Sequence, residues 1–138
     1  MKFMLTAAAS LALVAGGLGT GVAQAEAAPG CSSTVQIGST AYASYEGQTI
    51  ASVKQFKGCG KNWAYTYVWD QFRAKRLDYY IATFVDSSAN DVGFRTSAKN
   101  ARELWSGGTD TLTICTWAAG ALYMGDKTYG AVGTDERC

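Results

Sequence analysis

Two sets of residues in this chain have types and spacing that could do chemistry. One is the four cysteines, Cys31, Cys59, Cys115 and Cys138. The other is an aromatic run at every second position, Trp63, Tyr65, Tyr67 and Trp69. The sequence contains no histidine, which removes the commonest general base, metal ligand and pH switch. A cysteine nucleophile would normally lean on such a base, so an even number of cysteines reads here as two structural disulfides. Flat, amphipathic rings in a row suit the faces of sugar rings or the apolar surface of a partner. The same rings could line a core. The intervening residues Ala64, Thr66, Val68 and Phe72 are mostly apolar too. That fits a central strand covered on both faces, or a strand whose Ala64/Val68/Phe72 side is core and whose rings face outward. We expect core at Tyr65 and Tyr67 in mid-strand, and leave an exposed binding face open at Trp63 and Trp69 nearer the ends.

The carboxylates offer less. Asp70 lies among the aromatics, and its plain reading is a salt-bridge partner for Arg73 or Lys75 rather than an acid/base or sugar-binding group. The stretch from Asp86 to Asp91 has oxygen ligands at alternate positions, as a calcium loop does. It lacks the turn glycine and closing glutamate such a loop needs, and reads as a polar hairpin loop. No local spacing marks a carboxylate pair for glycoside hydrolysis. No catalytic residue, metal site or cofactor is expected.

The elements that must hold these residues begin after an export signal. Lys2 precedes an apolar run from Phe3 to Val14, and Ala23-Gln24-Ala25 supplies small residues for cleavage. Residues 1–25 therefore read as a secretory signal peptide, with cleavage after Ala27 as the competing choice. Residues 26–30 read as a flexible leader and 31–138 as one secreted β-rich domain, located extracellularly. The mature chain, roughly 110 residues, is one small domain for which disulfides matter. No later segment is apolar and long enough to span a bilayer, so no membrane anchor is expected after processing. Net charge is +1, without the basic excess of a nucleic-acid binder. The group Arg73, Lys75 and Arg76 is flanked by Asp70 and Asp78 and reads as a solvated turn.

Residues 34–45 and 48–57 read as strands around a Glu46-Gly47 turn. Residues 62–72 carry the clearest strand alternation. Strands follow at 78–86 and 92–97, a weak helical stretch at 98–105, and a hairpin of 111–124 with 127–134. About seven short strands without βα alternation predict an all-β fold: a small antiparallel sandwich or partly closed barrel stapled by two disulfides. A two-residue turn at Asp126-Lys127 would set Cys115 opposite Cys138, and the first hairpin brings Cys31 toward Cys59 with a bulge absorbing the offset. The expected pairs are Cys31–Cys59 and Cys115–Cys138.

The stretches SVKQFKGCGKNWAYTYVWDQFRAK (52–75) and ARELWSGGTDTL (101–112) resemble small exported proteins of filamentous actinobacteria, which share a signal peptide, about four cysteines and a Cys-x-x-x-aromatic stretch entering a Val-Trp strand. Cys59 to Ala64 also resembles a broader exported family. The resemblance implies a secreted β-rich domain and transfers no residue role.

The expected function is a non-catalytic extracellular binding or cell-surface-associated protein that recognises a glycan or cell-wall polymer through aromatic residues. The alternatives are a secreted protease inhibitor, with Gly58–Lys61 as its loop, and a glycan-acting enzyme. Its partner is an extracellular ligand or surface polymer, not a nucleic acid.

Overall fold

The computed structural model describes residues 27–138, so the signal peptide expected over residues 1–25, and Glu26, lie outside the described residues. Eight strands form two four-stranded antiparallel sheets packed face to face. In chain order they are β1 (Val35–Tyr45), β2 (Gln48–Gly58), β3 (Lys61–Val68), β4 (Tyr80–Ser87), β5 (Asp91–Thr96), β6 (Glu103–Trp105), β7 (Thr116–Met124) and β8 (Lys127–Gly133), with a single helical turn, α1 (Asp70–Arg73), between β3 and β4. The first sheet runs β1-β2-β3-β6 and the second β5-β4-β7-β8. This is the sandwich form of the expected all-β fold, with one more strand than the sequence pattern resolved. No helix among the described residues is long and apolar enough to cross a membrane.

Two tight turns set the first sheet. Glu46 and Gly47 have φ of 50° and 77°, and Cys59 and Gly60 have 52° and 70°. Two successive left-handed residues give the turn twist that matches a right-twisted hairpin, and the pairs Tyr45↔Gln48 and Gly58↔Lys61 close directly across them. In β3 the residues Ala64, Thr66 and Val68 face the second sheet. Ala64 packs with Val53, Val85 and Ala118, and Val68 with Ile50, Ile81 and Leu122. Thr66 Oγ1 donates to Thr83 Oγ1 across the sandwich at 3.0 Å. Gly120 permits this approach: a Cβ there would lie 2.2 Å from Thr66 Oγ1.

Three local expectations change. The strand expected to run to Phe72 stops at Val68, and α1 then drives Phe72 into the core against Tyr79 and Tyr129, with ring centroids 5.4 and 5.3 Å away. The helix expected over 98–105 is absent. Its last three residues are β6 instead, pairing Tyr65↔Trp105 and Tyr67↔Glu103. An eight-residue helix has too few turns to repay nucleation, whereas β6 satisfies the open edge of β3 and packs the half-buried Trp105 on it. The leader is ordered from Ala28, which is buried, bridges to Cys31 and accepts its N–H at 2.9 Å.

Both expected disulfides are present, Cys31–Cys59 and Cys115–Cys138, and no described cysteine is free. The routes differ from the simple register argument. Met124 pairs with Lys127, so the last hairpin turns at Gly125-Asp126. One register slip after Tyr123, and another before the Thr116↔Arg137 bridge, bring Cys115 opposite Cys138. Cys31 precedes β1 and ties its turn to the β2–β3 turn.

Candidate functional site

The aromatic run of β3 lies on the outer side of the first sheet, away from the second. Register places Phe56 beside Trp63, Lys54 beside Tyr65 and Ser52 beside Tyr67. This side is largely covered. Ala28, Cys31, Phe56, Trp63 and Tyr65 form one buried cluster capped by Tyr67 and Trp105. Trp63 keeps only 7% exposure and Tyr65 3%. Trp105 stacks at 4.7 Å from Tyr65 and 5.1 Å from Phe56 between ring centroids. Trp63 donates its indole N–H to the Gly58 carbonyl, and the Tyr65 hydroxyl donates to Glu103. The expectation of core therefore holds for Tyr65 but only in part for Tyr67, which is half-buried; at Trp63, where the sequence leaves both readings open, the Cys31–Cys59 staple and the ordered leader close the face.

Tyr67 and Trp69 are half-buried. Trp69 has left the strand, with φ −73° and ψ 145° as the residue preceding α1. It folds back so that its indole N–H donates to Ser52 Oγ at 2.7 Å and its ring meets Tyr42 edge-on at 6.1 Å. Asp70 pairs with Arg102 at 3.4 Å rather than with Arg73 or Lys75. The sequence run of four rings is thus two different places: a buried pair and a half-open corner.

A second aromatic face, unrecognised in the sequence, is open. In β4 the residues Ile81, Thr83 and Val85 point inward, and in β7 Ala118, Gly120 and Leu122 do. Because side chains alternate along a strand, Tyr80, Ala82, Phe84 and Asp86 point outward, as do Trp117, Ala119, Ala121 and Tyr123. They sit in register as Tyr80↔Tyr123, Ala82↔Ala121, Phe84↔Ala119 and Asp86↔Trp117. Ala131 continues the alanine floor on β8. Tyr80 and Tyr123 lie 5.9 Å apart with rings tilted by 35°, and Phe84 and Phe94 lie 5.9 Å apart at 34°. Phe94 is 56% exposed. Ala82 is buried between its neighbours, Ala119 and Ala121 are half-buried and Ala131 is exposed.

The result is a flat trough. Aromatic pairs stand at each end of an alanine floor, separated by the four residues from Tyr80 to Phe84, roughly 13 Å at the rise of a strand. No lysine or arginine stands among these outward residues. At the far end Asp86 opposes Asp91 across β4 and β5. Burial pushes the Asp86 carboxyl up, and so do the hydrogen bond its protonated form donates to Asp91 and the charge of Asp91, while hydrogen bonds from the Ser87 backbone and the Trp117 side chain act in the other direction. The Ser87–Asn90 segment between them is a polar hairpin loop, closed by Ser87 N–H to the Asn90 carbonyl and by Ser87 Oγ. The signal that could have found this face was the pair of alternating sets Tyr80/Ala82/Phe84 and Trp117/Ala119/Ala121/Tyr123. Each is split by small residues that make it look weak beside the Trp63–Trp69 run.

The Gly58–Lys61 segment is the tight turn of a hairpin and lacks the extended backbone a protease cleft requires. The loop from Asp110 to Ile114 is longer and held at both ends. Before it, Thr109 and Asn62 exchange backbone hydrogen bonds, and Asn62 Nδ2 donates to Thr111 and Thr116 at 3.0 and 2.9 Å. After it comes the Cys115–Cys138 bridge.

No family model, curated protein or solved structure matches the chain.

Proposed function

We propose that this is a non-catalytic extracellular binding protein that holds a neutral polysaccharide on the outer face of its second sheet. The observation carrying this reading is the open trough of Tyr80, Phe84, Phe94, Trp117 and Tyr123 over Ala82, Ala119, Ala121 and Ala131. Sugar rings present flat C–H faces that stack on aromatic rings and hydroxyls that need hydrogen-bonding partners. The trough supplies rings at its floor ends and, at its margin, the Tyr80 and Tyr123 hydroxyls, the Trp117 indole and the Asp86/Asp91 carboxylates. The absence of basic side chains on the face and the presence of two carboxylates select an uncharged glycan over an anionic one. A small floor between tall rings leaves room for a chain to lie flat. Two disulfides and a leading signal-like segment support export of the protein.

The experiment is retention of the secreted protein on insoluble chitin and cellulose, with peptidoglycan as the charged comparison. Wild type is retained on at least one neutral polymer, and the Phe84→Ala/Tyr123→Ala double variant is lost by tenfold or more with an unchanged fold. Equal retention of variant and wild type would exclude this face. Sedimentation of both proteins tests the competing occupant: a dimer dispersed by the double variant would assign the face to a second copy of the chain.

A protease inhibitor is the second reading, moved to a new loop. Leu112 and Ile114 are 40% and 49% exposed on the Asp110–Ile114 segment, whose anchoring lowers the cost of ordering it against a protease. Inhibition of subtilisin and trypsin by the wild-type protein, lost in Leu112→Asp, is the test.

A further inference from the structure

The connection between the two sheets carries a site that the sheet-face reading does not use. After α1 the chain passes through Arg76 and Asp78 into Tyr79. Together with Arg73, Leu77 and Asn100 these residues line an open depression of about 320 Å³. From the sequence, the flanking Asp70 and Asp78 should neutralise this basic group. In the structure both are engaged by other groups, Asp78 within the wall of the depression itself. Asp70 pairs with Arg102. Asp78 accepts from Asn100 Nδ2 at 2.8 Å and meets Lys99 at 3.8 Å. Lys75 turns to Glu46 at 3.8 Å. Arg73 and Arg76 are left without an ion-pair partner among the described residues.

Two further observations point into the same depression. Arg73 Nε is buried and meets no acceptor, an unfavourable state for a charged donor, although the guanidinium also hydrogen-bonds the Tyr79 side chain. Arg76 is held at φ 54° and Asn100 at φ 62°. Asparagine tolerates the left-handed region, but arginine gains nothing there that glycine would not give at lower cost. The walls are otherwise rigid: Tyr79 is buried, its hydroxyl donates to the Ala101 carbonyl at 2.6 Å, and its N–H donates to Asn100 Oδ1 at 2.9 Å.

We propose that this depression binds a single oxyanion group, a phosphate or a carboxylate, through the guanidinium groups of Arg73 and Arg76. The planar fork of an arginine matches two oxygens of such a group, and two forks converging on one depression give it geometric selectivity over a simple halide. The anion supplies the counter-charge that Arg73 and Arg76 lack while Asp70 is paired with Arg102 and Asp78 with Asn100 and Lys99. The site is separate from the trough of the second sheet, and its ligand is of opposite character.

The test is a titration of the ¹⁵N-labelled secreted protein, followed by the arginine Nε–H and backbone amide signals. Inorganic phosphate and sodium acetate are added in separate arms at ionic strength held constant with sodium chloride. Saturable shifts at Arg73 Nε–H and at the Arg76 and Asn100 amides are expected. The arm that saturates at the lower concentration identifies phosphate or carboxylate as the group. Arg76→Gln, at an exposed position, weakens binding at least fivefold, whereas Lys75→Gln, outside the depression, leaves it within twofold. Non-saturating shifts equal to those of chloride overturn the proposal. So does an equal loss in Arg76→Gln and Lys75→Gln, which would mean diffuse attraction rather than a site.

Discussion

The outer faces of the two sheets are built from the same residue class and end in opposite states. On the first sheet, Trp63, Tyr65 and Phe56 are sealed by Trp105 from β6 and by the turn at Ala28–Cys31. On the second, Tyr80, Phe84, Trp117 and Tyr123 stand half-open beside the exposed Phe94. The difference lies in what covers each face. Phe56 and Trp63 are large side chains adjacent across β2 and β3, and each needs a lid. Ala82, Ala119 and Ala121 leave little apolar area between the rings of β4 and β7, so that face loses less by meeting water. Aromatic content alone does not distinguish a core from a platform; the size of the residues between the rings does.

The sharpest way to break this comparison is a matched pair of truncations. Tyr65→Ala empties a covered site and also removes the hydroxyl that reaches Glu103. It should destabilise by about 3–5 kcal/mol, the range for large buried aromatics. Phe84→Ala, on the open face, should cost less than about 1 kcal/mol, the scale of a cross-strand pair. Thermal melts of the two variants decide it, and equal losses would mean that the faces are not distinct in kind.

The lid can be removed separately. Cys31→Ser/Cys59→Ser frees the leader turn and should lower stability by about 2–4 kcal/mol. Trp63 should become accessible at the same time, read as fluorescence quenching by acrylamide. Quenching as in wild type would show that Trp105 alone covers the face.

The acidic end of the open face gives a smaller, pH-dependent effect. Asp86 is pulled up mainly by burial and then by Asp91. A carboxyl raised in the folded state is best accommodated below the ordinary carboxylate range, and its contribution is lost as pH rises through its raised value. Asp91→Asn removes the repulsion, so the variant should gain about 0.2–1 kcal/mol over wild type at pH 7 and nothing at pH 3. Melts at the two pH values check the sign, and an equal gain at both would place the effect elsewhere.

The smallest effect on stability should come from Ala131→Lys, within about 0.5 kcal/mol as for an exposed position. The same change puts a charged stem on the trough floor and should abolish polysaccharide retention. Retention unchanged by this lysine would move binding off the second sheet.

Much of the fold was legible because it rests on local rules. Alternation marked β2, β3, β4 and β7, and Glu46-Gly47 marked a tight turn with two residues in the left-handed region. The even cysteine count marked two bridges, and both pairs formed. Other features depend on contacts between distant segments. The stretch 103–105 is too short to choose a conformation alone and becomes a strand because β3 offers an unpaired edge. Phe72 leaves the strand because the core near Tyr79 and Tyr129 can take its ring. Ala28 is ordered because Cys31 is tied to Cys59.

The site divides the same way. Residue type and spacing determined by themselves that rings would line up on strands, that the cysteines would staple the domain and that no histidine chemistry is possible. Which aromatic face is open was decided only in the tertiary structure, since exposure depends on what lies above a strand, and period-two alternation is blind to that. That Arg73 and Arg76 have no ion-pair partner among the described residues was decided there too. Asp70 and Asp78 are their neighbours along the chain, but folding brings Arg102, Asn100 and Lys99 within reach of those carboxylates, and charge follows distance in space rather than separation in sequence.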